Sequence, residues 1–348
     1  MISDDTLREG MQGPGISFST EEKKKLADKI SSCGISRILV SYPSAHQSEW
    51  EIAKYLSSRN RFGEVYGLGR AINSDIDRIH SSGAHISLHF PFKYNSLDEV
   101  YDSIKYAVSL DWLTEVAVVD VTQYGINQLM KIVKRLSDLD VHTIQLPDTK
   151  GKANPKIISE IVAQAKRITD SKIEIHCHND HGLSVANAIA GIEAGCDYVD
   201  TTFLGIGERN GITDTLTIAQ YLLDTGLIDK ESVDHMRSFS EEMLNIIIGK
   251  AGLSFFKNNL PNIGDNISTH TAGTHAAFSD VFGGTRFSVN VYTGRSMIKR
   301  ILEANRLSID DQDLTSLIEN IKNISAEEGR TIPAAEIIEE AGRYVQSD

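Results

Sequence analysis

The stretch TIQLPDTKGKANPKIISEIVAQAKRITDSKIEIHCHNDHGLSVANAIAGIEAGCDYVDT, residues 143–201, decides the fold. Three short apolar runs, Thr143–Pro147, Lys172–His176 and Tyr198–Thr201, alternate with two longer segments of helical period, Pro155–Thr169 and Leu183–Ala194. Runs of about five residues separated by about three helical turns match common strand and helix lengths. Asn154 puts an amide cap ahead of Pro155, which suits a first helical turn because it lacks an N–H. Gly195 follows a helix end, where left-handed backbone favours glycine.

The same alternation extends in both directions. Toward the N-terminus, strands are expected at Ile2–Asp5, Arg37–Val40, Val65–Gly69, His85–His89 and Glu115–Asp120. Helices are expected at Thr20–Cys33, Ser48–Ser58, Ser74–Ser82, Leu97–Leu110 and Gly125–Leu139, and after the last strand at Thr213–Asp224. Ser19 ahead of Glu21 and Glu22 caps the first of these, and Gly34 follows its end. Eight strand-then-helix units in about 225 residues predict an α/β protein of the closed (β/α)8 TIM-barrel type. An open doubly wound sheet is the alternative, but Leu7-Arg8-Glu9-Gly10-Met11 after the first strand is not a dinucleotide-binding glycine turn. Beyond residue 258 the texture changes. Asn258–Thr293 is rich in Gly, Asn, Ser, Thr and His without a clean period, and Ser296–Asn305, Asp310–Asn323 and Pro333–Gln346 read as helices. The expected organisation is a catalytic barrel over 1–258, a loop-rich connector or lid over 259–293, and a small helical C-terminal subdomain over 294–348.

Composition narrows the class. The 348 residues carry a net charge of −13, with 41% hydrophobic, 7% aromatic and 24% charged residues. These are the fractions of a soluble globular protein, and the acidic balance argues against nucleic acid or an anionic membrane as partner. No apolar run approaches the roughly 20 residues that span a bilayer. MISDDTLREG lacks the basic-then-apolar order of a signal peptide. Cys33, Cys177 and Cys196 are too few and odd in number for a disulfide framework, so reduced thiols and a cytoplasmic location are expected.

Barrel enzymes carry their chemistry where strands end. The seventh expected strand runs out through Glu174-Ile175-His176-Cys177-His178, and alternation sends Glu174, His176 and His178 to one side. Two imidazoles at that spacing suit a divalent metal, with Glu9 after the first strand as the best placed carboxylate. Three protein ligands leave positions open for substrate oxygens. The plainer alternative is a hydrogen-bonded histidine pair lining the barrel. Metal-bound imidazoles must be neutral, so metal affinity is expected to fall below about pH 6.5. Arg8 could steady charge developing on a substrate oxygen, or could serve as a buried structural ion pair. Gly205–Gly211 after the eighth strand allows close backbone approach or simply a tight turn. His270 and His275 lie in the connector, where a lone histidine is usually inert.

Four segments together resemble the metal-dependent barrel family (DRE-TIM metallolyases) of homocitrate synthase, isopropylmalate synthase and hydroxymethylglutaryl-CoA lyase. They are DDTLREGMQGPG (4–15), PDTKGKANP (147–155), EIHCHNDHGLSVANAIAGIEAGCDYVDTTFLGIGERNG (174–211) and HTAGTHA (270–276). GIGERNGIT (205–213) looks closest to homocitrate synthases. The resemblance implies a transferase of amino-acid biosynthesis that condenses acetyl-CoA, the cosubstrate, with a 2-oxo acid. It implies that Glu9, His176 and His178 bind Mg2+, Mn2+ or Zn2+, that Arg8 stabilises the alkoxide, and that His275 helps deprotonate the acetyl group. Glu174 joins Arg8 and His275 as a catalytic candidate. Gln12, Thr149, Arg70, Glu208 and Asn210 are candidate substrate contacts. It also implies a homodimer in which the C-terminal region, bearing His275, caps the neighbouring barrel.

The chain departs from the family pattern in places. Leu39 stands where the second strand usually carries an inward Glu, and Val116–Val121 replaces a Ser-x-Glu motif and the Arg that grips 2-oxoglutarate. Phe287 falls near the expected lid tyrosine. An apolar wall cannot offset the desolvation of a second carboxylate, so 2-oxoglutarate is not the expected substrate. A carbon–carbon lyase or aldolase of the hydroxymethylglutaryl-CoA lyase type is the alternative activity, although residues 205–211 lack the cysteine of those lyases. A non-catalytic ligand-binding relative is the third reading.

Overall fold

Eight parallel strands, each hydrogen-bonded to the next in chain order and the last to the first, close a barrel. They are β1 (Ile2–Asp4), β2 (Arg37–Ser41), β3 (Glu64–Arg70), β4 (His85–Phe90), β5 (Thr114–Val118), β6 (Thr143–Asp148), β7 (Lys172–Cys177) and β8 (Tyr198–Thr201). The computed structural model describes residues 1–91, 96–271 and 286–344. Helices α1 (Thr20–Ser32), α2 (Gln47–Ser57), α3 (Asn73–His80), α4 (Leu97–Val108), α5 (Ile126–Ser137), α6 (Pro155–Ile168), α7 (Ser184–Glu193) and α8 (Thr215–Asp224) connect the strands and surround them. The (β/α)8 architecture is the expected one, and the open sheet is excluded.

The local signals act as physics requires. Ser19 and Glu22 form a reciprocal capping box, with Ser19 Oγ accepting from the Glu22 amide at 3.3 Å and Glu22 Oε2 accepting from the Ser19 amide at 2.7 Å. Asn154 Oδ1 accepts from the Ile157 amide at 3.0 Å at the start of α6. Outward-facing strand residues such as Ile38, Ile86, Val116, Ile144 and Ile175 are fully buried against the helices. β5 stops at Val118, two residues short of expectation, because Asp120 adopts left-handed backbone at φ 54° and ends the ladder.

The interior of the barrel is unusually polar at its base. Arg37 on β2 binds Glu174 at 2.9 Å and pairs with Glu64 and Glu115, while its guanidinium lies 4.1 and 4.5 Å from the rings of Tyr66 and Tyr198. Leu39, Tyr66 and Leu68 form a small apolar layer beside it.

No element was expected between Asp224 and Asn258, yet α9 (Lys230–Ala251) fills 22 residues there, followed by α10 (Ser254–Asn258). Val233, Met236, Phe239, Met243 and Ile247 bury one stripe of α9 at three- and four-residue spacing. Helices α11 (Arg295–Ala304), α12 (Asp311–Glu328) and α13 (Ala334–Gly342) pack Ile298, Leu302, Leu314, Leu317 and Ile337 into a second core. α12 runs five residues past the expected Asn323 and ends where Gly329 turns left-handed at φ 62°. These helices dock on the same chain: Lys322 Nζ donates to the Ala45 carbonyl at 2.7 Å, and Ser17 and Ser325 hydroxyls meet at 3.2 Å. Among the described residues no helix is long and apolar enough to cross a membrane.

Candidate active site

At the C-terminal mouth of the barrel, β7 alternation carries His176 inward, and His178 follows just past the strand end. Their Nε2 atoms lie 3.2 Å apart. Glu9 reaches them from the loop after β1. That loop is a tight turn in which the Asp5 carbonyl accepts from the amides of Arg8, Glu9 and Gly10 at 3.2, 2.7 and 3.2 Å. One ligand atom from each of Glu9, His176 and His178 lies within 4.8 Å of the other two, and all three side chains are buried.

Neighbouring groups hold each of these side chains. Asp200 Oδ2 lies 2.7 Å from His176 Nδ1, which leaves Nε2 turned into the cavity. Glu9 Oε1 accepts from the Glu208 amide at 2.9 Å, and Glu9 Oε2 accepts from Arg8 Nη1 at 2.7 Å. Asp5 grips the other edge of the Arg8 guanidinium, with Nε at 3.0 Å. Two glycines of the 205–211 loop are needed for this approach. A Cβ on Gly207 would lie 2.9 Å from Glu9 Oε1, and one on Gly211, at φ 74°, would collide with the Gly205 carbonyl oxygen at 1.8 Å.

Burial controls the charges. Desolvation holds the His176 imidazole neutral, down to about 4, and that of His89 down to about 3. Desolvation pushes the Asp5 and Asp200 carboxyls well up; neighbouring carboxylates add to this and Arg8 opposes it. The buried acids Asp5, Glu9 and Asp200 thus crowd around Arg8. A dication would relieve that imbalance, and two neutral imidazoles with a carboxylate are a donor set that divalent transition metals accept. The residues fit such an ion.

The cavity beside them, about 30 Å³, is lined by Arg8, Glu9, His89, Ala117, Val119, Gln145, Pro147, Thr149, His176 and His178. Of the sequence candidates, Arg8, Glu9, Thr149, His176 and His178 converge there. Thr149 Oγ1 accepts from the Asp120 amide at 2.9 Å. Gln12 is buried on the turn after Glu9, and its Oε1 has no hydrogen-bond partner among the described residues. Others are not brought to the cavity. Glu174 sits one layer lower, taken up by Arg37 and by Gln145 Nε2 at 3.2 Å. Arg70 turns away to Asp75, with Nε–Oδ2 and Nη2–Oδ1 contacts of 2.9 Å each. Glu208 accepts from the Thr271 amide, and Asn210 Nδ2 donates to the Asn259 carbonyl at 3.0 Å, so both tie loops together. His275 lies outside the described residues; Thr271, four residues before it, donates from Oγ1 to the Gln12 carbonyl at 2.9 Å. Sequence reading missed Asp200 and His89. The signal for Asp200 was its alternation with Tyr198 on the strand that pairs with β7, where it stands opposite His176. His89 had only its parity on β4.

A family model described as HMGL-like matches residues 1–241. The chain belongs to the HMGL-like family. It is 29% identical to a 2-isopropylmalate synthase of Sulfolobus acidocaldarius over 96% of this chain and 93% of that protein. It is 27% identical to the homocitrate synthase AksA of Methanosarcina mazei, over 95% and 87% of the two chains. Among solved structures, the HMG-CoA lyase of Bacillus subtilis shares the fold at a TM-score of 0.62 and 18% identity, covering 74% of this chain and 97% of that one. Within this HMGL-like barrel the departures noted in the sequence take definite places. Leu39 packs on Tyr66 and Leu68 inside the barrel, and Ala117 and Val119 form part of the cavity wall.

Proposed function

We propose that this protein is a metal-dependent acyltransferase that condenses acetyl-CoA with a 2-oxo acid. The observation that supports it is the convergence of Glu9, His176 and His178 beside Arg8 in one cavity at the barrel mouth. Relatives named as 2-isopropylmalate and homocitrate synthases agree with that chemistry.

A bound Mg2+, Mn2+ or Zn2+, held by Glu9, His176 and His178, would polarise the substrate carbonyl and hold it in place. The chain's own residues supply the rest. Arg8, fixed by Asp5 and Glu9, presents a permanently charged fork to the oxygen on which negative charge develops. Asp200 keeps the His176 ring in one orientation. Thr149 offers a hydroxyl, and Gln12 the N–H groups of its side-chain amide, for orienting the acceptor oxygens of the substrate. His275 is the proposed acceptor of the proton removed from the acetyl methyl group, and thioester hydrolysis then draws the condensation forward. Glu174 and Arg70 have no contact with the reacting atoms in this reading, while Glu208 and Asn210 shape the loop that holds Glu9. A homodimer in which His275 acts on the neighbouring barrel belongs to the same proposal.

The test is release of free thiol from acetyl-CoA by purified protein with Mg2+ or Mn2+ and a panel of 2-oxo acids. Thiol release that requires both metal and 2-oxo acid supports condensation. Silence across the panel, with metal binding intact, would remove it in favour of carbon–carbon cleavage or ligand binding without catalysis.

A further inference from the structure

The ten residues around the cavity divide by chemistry. Arg8, Glu9, His176 and His178 form the charged and metal-binding side. Gln145 and Thr149 offer hydrogen bonds. Ala117 on β5, Val119 just past its end and Pro147 on the adjacent β6 form a wall with no side-chain hydrogen-bonding group. His89 borders that wall, because it is the register partner of Ala117, and Gln145 is the partner of Ala117 on the other side.

Around this wall five described cations, Arg8, Arg37, Arg70, Lys150 and Arg209, are already matched. Arg8 pairs with Asp5 and Glu9, Arg37 with Glu64, Glu115 and Glu174, and Arg70 with Asp75. Lys150 pairs with Asp120 at 2.7 Å and Arg209 with Asp180 at 2.7 Å. A carboxylate pressed against Ala117 and Val119 would lose its hydration and meet only the neutral hydrogen-bonding groups of Gln145 and Thr149, with no unpaired cation among the five just named.

We infer that the 2-oxo acid has a compact, uncharged side chain, seated against Ala117, Val119 and Pro147 and bounded by His89. These residues set specificity. The inference rests on the condensing reading above and narrows its substrate to the monocarboxylic 2-oxo acids. A substrate methyl, ethyl or isopropyl group gains from contact with this wall by leaving water. A distal carboxylate is rejected by desolvation.

The experiment compares pyruvate, 2-oxobutyrate, 2-oxoisovalerate and 2-oxoglutarate in two assays. The first is thiol release from acetyl-CoA. The second is binding of each acid to the Mn2+-loaded protein by titration calorimetry, without acetyl-CoA. At least one monocarboxylic acid is expected to exceed 2-oxoglutarate by about 100-fold in kcat/KM and to bind more tightly. Val119→Ala should move the preference toward the more branched acid, and Ala117→Val toward pyruvate, by about tenfold each. Equal or better use of 2-oxoglutarate, with thiol released, would overturn the specificity while leaving condensation standing. No thiol release with any acid would overturn condensation. The calorimetric order then still decides the wall's role: tighter binding of 2-oxoglutarate overturns it, and tighter binding of a monocarboxylic acid upholds it.

Discussion

Asp200 and His176 are register partners on adjacent strands, and the Asp200 carboxylate lies 2.7 Å from His176 Nδ1. The pair comes from two elements of the rigid barrel wall, so the ring is oriented before any ligand arrives. Asp200→Ala would leave one nitrogen of a buried imidazole without its partner and free the ring to rotate. Metal affinity is expected to weaken about 10- to 100-fold with the circular dichroism spectrum unchanged. Competition with a chelating dye measures this directly; an unchanged dissociation constant would mean that His176 is held by its packing alone.

Burial alters the pH dependence read from composition. Free imidazoles would surrender a metal below about pH 6.5, but desolvation lowers His176 to about 4. A group whose folded value is depressed stays neutral, and competent as a ligand, down to that lower pH. Proton competition at His176 is therefore expected to change Zn2+ or Mn2+ affinity less than about threefold between pH 7.5 and 5.5, and to weaken it steeply as pH approaches 4. Tenfold weakening per pH unit beginning at 6.5, absent from a His176→Ala variant, would show that His176 is as accessible to protons as free imidazole.

The barrel was legible because strand parity and helix period repeat, and because caps such as Ser19 and Asn154 announce their helices. His176 and His178 were legible as a pair because two residues along a strand is a fixed geometric relation. Arg8 escaped the choice between catalysis and structure, since its ion pairs with Asp5 and Glu9 are what aim it at the cavity. Glu174 shared the parity of His176, yet parity fixes a face and not a depth. Its partner Arg37 lies 137 residues away on β2, and no local pattern announces such a contact. Arg70 illustrates the opposite case, where a partner five residues on, Asp75, draws an inward-registered side chain outward. α9 went unread between Asp224 and Asn258, although its stripe from Val233 to Ile247 has ordinary helical spacing.

Gly207 tests how tightly the glycine loop holds the first ligand. Its Cα sits against Glu9, whose Oε1 would be 2.9 Å from an added Cβ, and the next amide donates to that same oxygen. Gly207→Ala should displace the Glu9 carboxylate by a few tenths of an ångström and disturb its bond to the Glu208 amide. Loss of metal affinity of about tenfold or more is expected, accompanied by a fall in thermal midpoint of a few degrees. Wild-type metal binding in this variant would show that the loop yields and that Glu9 is held by Arg8 instead.

Asp4, on the outward face of β1, carries a prediction about stability rather than catalysis. It is fully buried, and desolvation raises its carboxyl to about 7, against bonds from the Thr6 hydroxyl at 2.8 Å and the Thr6 amide at 3.1 Å. The folded state therefore holds a proton that the unfolded chain, with an ordinary aspartate, releases near pH 4. Between about pH 4 and 7 the folded state binds more protons, so this group lowers stability as pH rises through that window, and the loss is complete above about 7. The full effect is about 4 kcal/mol at most. Asp4→Asn mimics the protonated acid and cannot ionise. The variant's thermal midpoint minus that of the parent should grow steadily from pH 4.5 to 7.5 and then level off. Glu115, raised to about 8, and Asp148, raised to about 6, titrate with the same sign, and taking the difference between the two proteins cancels them. A difference that stays flat across the window would mean that Asp4 is ionised in the folded barrel, with the Thr6 bonds outweighing its burial.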